Sequence, residues 1–426
     1  MFREHDAEVL VVGAGPVGLF TALVLADHGI RVEIIDAEWR AAAQSYACAL
    51  HPRTLRLMDR HGLRNEVMDM GRKIESVGFY EGSTCRGRIH FSEFDVEYPY
   101  LLVLPQSGFE GLLENHLSKR EHVRVLWNHR LADLDVERAR PRATIEQLAE
   151  TAKGYVVPSF EWSVAKELHT DAGLVVGTDG HDSLVRRLIG VEYENSGQPD
   201  VFAVFECECS GEVPDEARIF RSGATVNGFW PLLGNRCRWS FQIPDAHLED
   251  DRHPKERMSM VIERPGEPDD LRSSLLALIT ERAPWFDGVI SAIDWSVDVG
   301  FEKRVAQQYG KGRCWLLGDS AHQTCPLGMQ SMNEGLFEAD LFGDLVERIM
   351  RQDASLQILE KFGAERRDTW HRLMGMTATV RPAREENAWT GADADWLLSC
   401  VPASGNELVP ALAQLGFVLA DSAVCA

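Results

Sequence analysis

The chain has 426 residues and a formal net charge of −22, from 44 basic and 66 acidic side chains. Its length predicts about three structural units, and 45% apolar with 26% charged residues is a globular composition that argues against disorder. So acidic a surface repels phosphate backbones and anionic lipid, which sets nucleic-acid binding and electrostatic membrane docking aside. Nine cysteines are scattered without a CxxC spacing, so no metal site is expected and a reducing cytoplasm is. Cys207 and Cys209, two apart in a strand-like run, face one side of a sheet. The polar stretch Met1 to Glu8 carries no signal-peptide pattern.

Val9 to Ala26 is free of charge and long enough to mimic a membrane span, yet Gly13, Gly15, Pro16 and Gly18 interrupt it. It reads as buried strand, tight turn and buried helix. Val9–Val12 is a β-branched run of the kind found in central parallel strands. Leu19, Ala22, Leu23 and Ala26 then recur at helical spacing, and Gly29 stands where the helix should end. A second strand, Arg31–Ile35, ends in Asp36. A bare GxGxxG is a weak signal; between a strand and a helix, with an acid closing the next strand, it is a strong one. Gly13 permits the turn, Gly15 lets a pyrophosphate approach the helix N-terminus with Pro16 opening the helix, and Gly18 lets helix and strand touch. Asp36 would accept ribose hydroxyls. The fingerprint predicts an adenine dinucleotide without distinguishing NAD, NADP and FAD.

Phe79–His90, Tyr98–Leu104, Val201–Cys209, Glu216–Phe220, Thr225–Pro231 and Arg236–Ile243 are short strand-like runs broken by turn residues. They predict an antiparallel sheet with one face wet and one lining a pocket. Tyr98, Tyr100, Phe220, Phe229, Trp230 and Trp239 are the candidates for that lining, although each could equally be sheet core. Leu174–Val176 feeds a Gly177-Thr-Asp179-Gly180 turn, and Trp315–Leu317 feeds Gly318-Asp319-Ser320-Ala321-His322. From about Arg351 the pattern is helical, with Trp370, Leu373 and Met376 on one face. Val409, Leu412, Leu415 and Val418 form a last apolar stripe.

The GxGxxG unit, the Gly-Thr-Asp179-Gly turn and the Gly318-Asp319 turn, with Pro326, Gly328, Asn333 and Gly335 following, resemble the single-component (class A) flavoprotein aromatic hydroxylases, the p-hydroxybenzoate and phenol hydroxylase group. Leu102-Val-Leu-Pro105-Gln106, Arg238-Trp239-Ser-Phe241 and the Arg304 to Arg313 lead-in add to the resemblance, which runs from Ala7 to about Pro382. It implies an α/β fold: a Rossmann-like FAD-binding domain (1–75, 106–190, 296–350), an antiparallel-sheet substrate domain (76–105, 191–295) and a helical C-terminal region (351–426) without the thioredoxin-like domain of the larger phenol hydroxylases. Asp36 would then hold the FAD ribose, Arg53 and Gln106 would lie along the dinucleotide, Asp179 near the pyrophosphate, and Gly318-Asp319 at the ribityl chain. Pro326 would stand where flavin and substrate meet, and Gly328 would contact the cofactor. Met332 and Asn333 would act through their backbones, at the N-terminus of a helix able to stabilise the anionic edge of reduced flavin.

The implied activity is NAD(P)H- and O2-dependent hydroxylation of an aromatic or polycyclic small molecule through a flavin hydroperoxide. Epoxidation and Baeyer–Villiger insertion use the same scaffold; a dehydrogenase or oxidase without oxygen insertion and a non-catalytic flavin-loaded protein remain as rivals. One glycine fingerprint assigned to FAD leaves NADH or NADPH to dock transiently, with Arg186 and Arg53 as candidate phosphate contacts. Tyr46, Ala49 and Ser331 depart from the family pattern of Arg, Gly and Gly. His322 reads as a packed structural histidine and Cys48 as a small buried hydrophobe. Monomer and homodimer are both open.

Overall fold

The computed structural model describes residues 6–38, 49–153, 159–195, 200–244, 261–263, 268–383 and 394–421. Tyr46, Cys48 and the charged 249–252 connection lie outside them.

Two eight-stranded sheets organise the chain. In the first, Cys314–Leu316, the end of Ser159–Gly177, Asp6–Val12, Val32–Ile35 and Val123–Leu126 lie side by side and parallel. Val9, Leu10 and Val11 are fully buried at its centre, as a β-branched run covered on both faces should be. The Pro16–Asp27 helix is buried all round because the Gln330–Gln352 helix lies over it. Gly335 and Gly343 permit that approach: a Cβ at Gly335 would stand 2.7 Å from Val17 Cγ2, and one at Gly343 would strike Val24. The charge-free stretch is therefore a protein core. No described helix is long and apolar enough to cross a membrane.

The second sheet runs in the order Val261–Glu263, Val289–Phe301, Asp200–Ser210, Arg236–Ile243, Thr225–Pro231, Ala217–Ser222, Ser76–Glu81, Thr84–His90. All its neighbours are antiparallel except Ala217–Ser222 with Ser76–Glu81. Tyr98–Leu104 does not join it. Leu101–Val103 instead pairs with Ala49–Leu50 and Arg72–Ile74 in a small separate sheet.

Alternation then sorts the aromatic candidates. Phe229 and Trp230 are consecutive in one strand and must point to opposite faces. Phe220, Phe229 and Trp239 share the face away from the first sheet, buried with Phe241 and covered by the partly buried Trp285 and Phe286 near the Pro268–Arg282 helix. They form a second core. Tyr98 and Tyr100 pack edge to face beside Arg64, Met68 and Lys73. Only Trp230 belongs to the inner face. Cys207 and Cys209 do share one side, and there they meet Cys237 of the neighbouring strand. Cys209 and Cys237 are joined as a disulfide, a pairing their scattered spacing did not announce.

The C-terminal region holds the Gln357–Leu373, Ala394–Cys400 and Leu408–Gln414 helices. It also holds two strands, Ala378–Pro382 and Phe417–Asp421, paired antiparallel. The expected last stripe is split accordingly. Leu412 and Leu415 are buried, whereas Val409 and Val418 are about half exposed.

Candidate functional site

The cleft begins at the glycine turn. Gly13 has φ +104°, and a Cβ there would lie 2.6 Å from the Thr178 carbonyl carbon. A Cβ on Gly18 would collide with the Gly13 carbonyl and meet Thr178 Oγ1 at 2.6 Å. Both glycines are fixed by protein neighbours. Gly15 differs: its φ is −71°, ordinary for any residue, and a Cβ there would meet nothing within 4 Å. It lines the cleft with Pro16 and Val17. Neither backbone nor packing accounts for that glycine, so the open space before it is the cradle expected for a pyrophosphate. Asp36 pins the turn from the side, accepting Ala14 N at 2.6 Å and Glu38 N at 2.8 Å.

Across the cleft stand Gln106, Asp319, Pro326, Met329, Ser331 and Met332. Gly318 has φ +62° and lies against Val17. The turn it opens is held from two sides. Tyr193 donates its hydroxyl to the Asp319 carbonyl at 2.8 Å. Beneath, Gly318 N donates to the buried Glu338, 3.3 Å away. Glu338 also meets His322 Nε2 at 2.8 Å and accepts from Trp370 Nε1 and Tyr309 Oη. Burial alone would raise the Glu338 carboxyl, but His322, Arg366 and the Gly318 amide together hold it below the ordinary range. His322, stacked on Trp370 at 3.9 Å and wholly buried, is a packing residue of this network.

The Gln330–Gln352 helix starts at Met329, in the left-handed region at φ +52°, and presents its first turn to the cleft. Free amides and a positive dipole end suit the negative edge of a reduced flavin. The side chain of Asn333 does something the sequence did not reveal. It accepts His51 N at 2.8 Å and Thr54 Oγ1 at 2.7 Å and donates to the Ala49 and Met329 carbonyls. It buckles residues 49–54 to the helix start. His51 completes the strap through Gly328 O and Ser404 Oγ, both at 3.0 Å. Burial pushes its ring down to about 3, against the Gly328 carbonyl, so it is neutral.

Several expected contacts lie elsewhere. Asp179 spends its carboxylate on Ser183 Oγ, Leu184 N and Val185 N, capping a short helix, while its neighbours Thr178 and Gly180 face the cleft. Gly328 makes room for the tail: a Cβ there would hit the Ser399 and Val401 carbonyls. Arg53 lies outside the cleft, paired with Glu334 and stacked on Phe337. Arg186 is buried, stacked on Tyr193 and bonded to the His181 and Ser320 carbonyls. Both arginines have partners distant in sequence. Thr178, Glu110, Gln323, Thr324 and Cys325 line the cleft without having been singled out; the one signal for Cys325 was its place next to Pro326.

Cys325 also borders a second cavity of about 210 Å3, lined by Phe202, Val226, Gln242 and Lys303 on one side and Trp396, Ser399 and Cys400 on the other. It lies between the inner face of the second sheet and the tail.

Residues 6–377 match the family described as FAD binding domain. The chain is 26% identical over 387 residues to the para-nitrophenol 4-monooxygenase of Pseudomonas sp. (strain WBC-3), covering 87% of this chain and 85% of that protein. It is 25% identical to the pentachlorophenol 4-monooxygenase of Sphingobium chlorophenolicum over 87% of this chain but only 64% of that longer protein. In fold it resembles the crystal structure of p-nitrophenol 4-monooxygenase PnpA from Pseudomonas putida DLL-E4, with TM-score 0.72 and 20% identity, covering 97% of this chain and 94% of that one. The OxyS anhydrotetracycline hydroxylase from Streptomyces rimosus gives 0.68 and 22%, over 96% and 72%. With the family matched over most of its length and a glycine cradle shaped for a dinucleotide, the chain belongs to the FAD binding domain family.

Proposed function

We propose that the protein is an FAD-dependent monooxygenase that hydroxylates an aromatic small molecule. The observation that carries this reading is Gly15, a glycine required by nothing in the protein and open to the cleft. Bound FAD would supply the redox chemistry: NAD(P)H and O2 are consumed, one oxygen atom enters the acceptor and the other leaves as water. The chain's own part is to bind, orient and exclude water. The 13–18 turn would take the pyrophosphate with Asp36 at the adenosine ribose, and Asp319 the ribityl hydroxyls. Ser331 and Met332 amides would meet the pyrimidine edge. Cys325 borders both the cleft and the second cavity, and the buried Pro326 lines the cleft beside it, so the acceptor ring would sit there, shielded by Trp396 and the tail. The relatives named for nitrophenol and pentachlorophenol support an aromatic acceptor.

Gly15→Val tests the reading. The wild-type protein should carry about one FAD per chain, and the variant should fold with an unchanged circular dichroism spectrum and lose its flavin. Oxygen-18 gas should label the product. A wild-type protein that takes up no FAD, or turnover that leaves all label in water or peroxide, would sink it.

A further inference from the structure

Among the described residues five cysteines are free: Cys85, Cys207, Cys314, Cys325 and Cys400. Two of them meet across the fold. Cys325 Sγ and Cys400 Sγ lie 3.7 Å apart although 75 residues separate them in sequence, and both residues are buried. Cys325 stands between the His322–Gln323 strand and the Pro326–Gly328 turn, and Cys400 ends the Ala394–Cys400 helix. Neighbouring contacts hold the two segments together. Gln330 Nε2 donates to the Leu398 and Val401 carbonyls at 2.9 and 3.2 Å, and the Gly328 backbone packs on the Ser399 carbonyl. The sulfurs therefore face each other in the resting fold and need no rearrangement to meet.

Both residues border open space. Cys325 lines the cleft and the second cavity, and Cys400 lines the second cavity. Their surroundings differ. A hydrogen bond from Cys400 holds the Cys325 thiol below its ordinary range against the effect of burial, with the Leu327 amide and Lys303 adding to it. Burial pushes the Cys400 thiol up. The thiolate is the reactive form, so Cys325 is the sulfur that attacks and Cys400 the one that resolves. A disulfide sets its sulfurs about 2.05 Å apart, so each has to move by less than about 1 Å.

We propose that Cys325 and Cys400 are a peroxide-sensitive thiol pair whose disulfide closes the acceptor site. The bond itself does not depend on the monooxygenase reading, whereas its effect on turnover rests on it. O2 reduced at the cleft with no acceptor in place becomes hydrogen peroxide, and Cys325 is part of the wall beside it. The Cys325 thiolate attacks one peroxide oxygen and the O–O bond breaks, giving a sulfenic acid and hydroxide. The Cys400 sulfur then attacks the Cys325 sulfur; the S–O bond breaks and the hydroxyl leaves with the Cys400 proton as water. Two thiols lose two electrons and two protons, and one peroxide becomes two waters. The new bond ties the Ala394–Cys400 helix, whose Trp396 lines the second cavity, to the wall shared with the cleft. It draws together the two sides between which the acceptor ring would sit and leaves the glycine cradle untouched. Oxidation thus stops turnover while FAD stays bound, and a thiol reductant restores it.

The test exposes the FAD-loaded protein to hydrogen peroxide and maps its cysteines by mass spectrometry. Cys325 should be found joined to Cys400, with flavin content unchanged. Para-nitrophenol and pentachlorophenol serve as acceptor probes, their binding read from the flavin absorbance. The Kd of the tighter one should rise at least about tenfold on oxidation, and dithiothreitol should reverse both the link and the loss. In Cys400→Ser, Cys325 should stop at the sulfenic acid and be captured by dimedone; in Cys325→Ser, Cys400 should not be. Absence of the link at a peroxide dose that oxidises the exposed Cys85 overturns the proposal. No binding of either phenol before oxidation, or an unchanged Kd after it, overturns the closure of the acceptor site. Dimedone capture at Cys400 in Cys325→Ser, with none at Cys325 in Cys400→Ser, overturns the order of attack. A link formed in a protein that takes up no FAD would instead fault the monooxygenase reading and leave the thiol pair standing.

Discussion

Phe229 and Trp230 are neighbours in sequence, and the two faces they enter are built to different ends. Phe229 enters a closed aromatic stack: Trp239 lies parallel to Phe241 with centroids 5.4 Å apart and meets Phe286 edge-on at 5.0 Å. Trp230 enters the inner face, where Gly228 keeps space beside Leu327 and Arg238 buries a charge. One face spends its residues on packing. The other leaves cavities, which cost stability and make room for ligands.

The largest test of that division is Trp239→Ala. It should cost about 3–5 kcal/mol of unfolding free energy, read by urea denaturation, while the folded fraction keeps its FAD. A loss under about 1 kcal/mol would mean that the outer face is no second core. The next test is pH, since among the described residues the histidine pushed furthest from its ordinary value is on the cleft side. His51 titrates near 6.5 when unfolded and near 3 when folded. Between those values the unfolded chain binds a proton that the folded chain refuses, so stability is full above pH 6.5 and falls as the pH drops toward 3. The slope from this group approaches about 1.4 kcal/mol per pH unit. His51→Gln should remove that share, seen as a smaller shift of the urea midpoint between pH 7 and pH 5; identical shifts would break the account. The smallest effect on folding belongs to Gly228→Ala. Its Cβ would lie 2.7 Å from Leu327 Cδ2, the end of a side chain that can move. Stability should change by about 1 kcal/mol, whereas the KM for the acceptor should rise about tenfold. Equal kinetics would place the acceptor elsewhere.

What the sequence discloses here is local. The strand, glycine turn and helix at residues 9–26 follow from spacing, and alternation alone separates Phe229 from Trp230. Contacts made by distant segments leave no such trace. Nothing near Arg53 in the sequence announces Glu334 and Phe337, which reach it from the far end of the chain. Asn333 reads as a backbone position until residues 49–54 close on its side chain. The Pro268–Arg282 helix, with apolar and charged residues mixed, gave no pattern that marked it as the neighbour of the aromatic face. Val418 continues a helical stripe by spacing, yet Phe417–Asp421 finds Ala378–Pro382 and becomes a strand.

The central place of Asp6–Val12 in the first sheet sets a timetable for synthesis. Its neighbour on one side, Val32–Ile35, is made almost at once, but on the other side Val9 waits for Leu174. The helix that covers Pro16–Asp27 comes later still, at Gln330–Gln352. At roughly 5–20 residues per second of translation, this apolar segment stays uncovered for many seconds after it leaves the ribosome. Slower growth temperature or added chaperone should therefore raise the soluble yield of this protein more than any change to its surface.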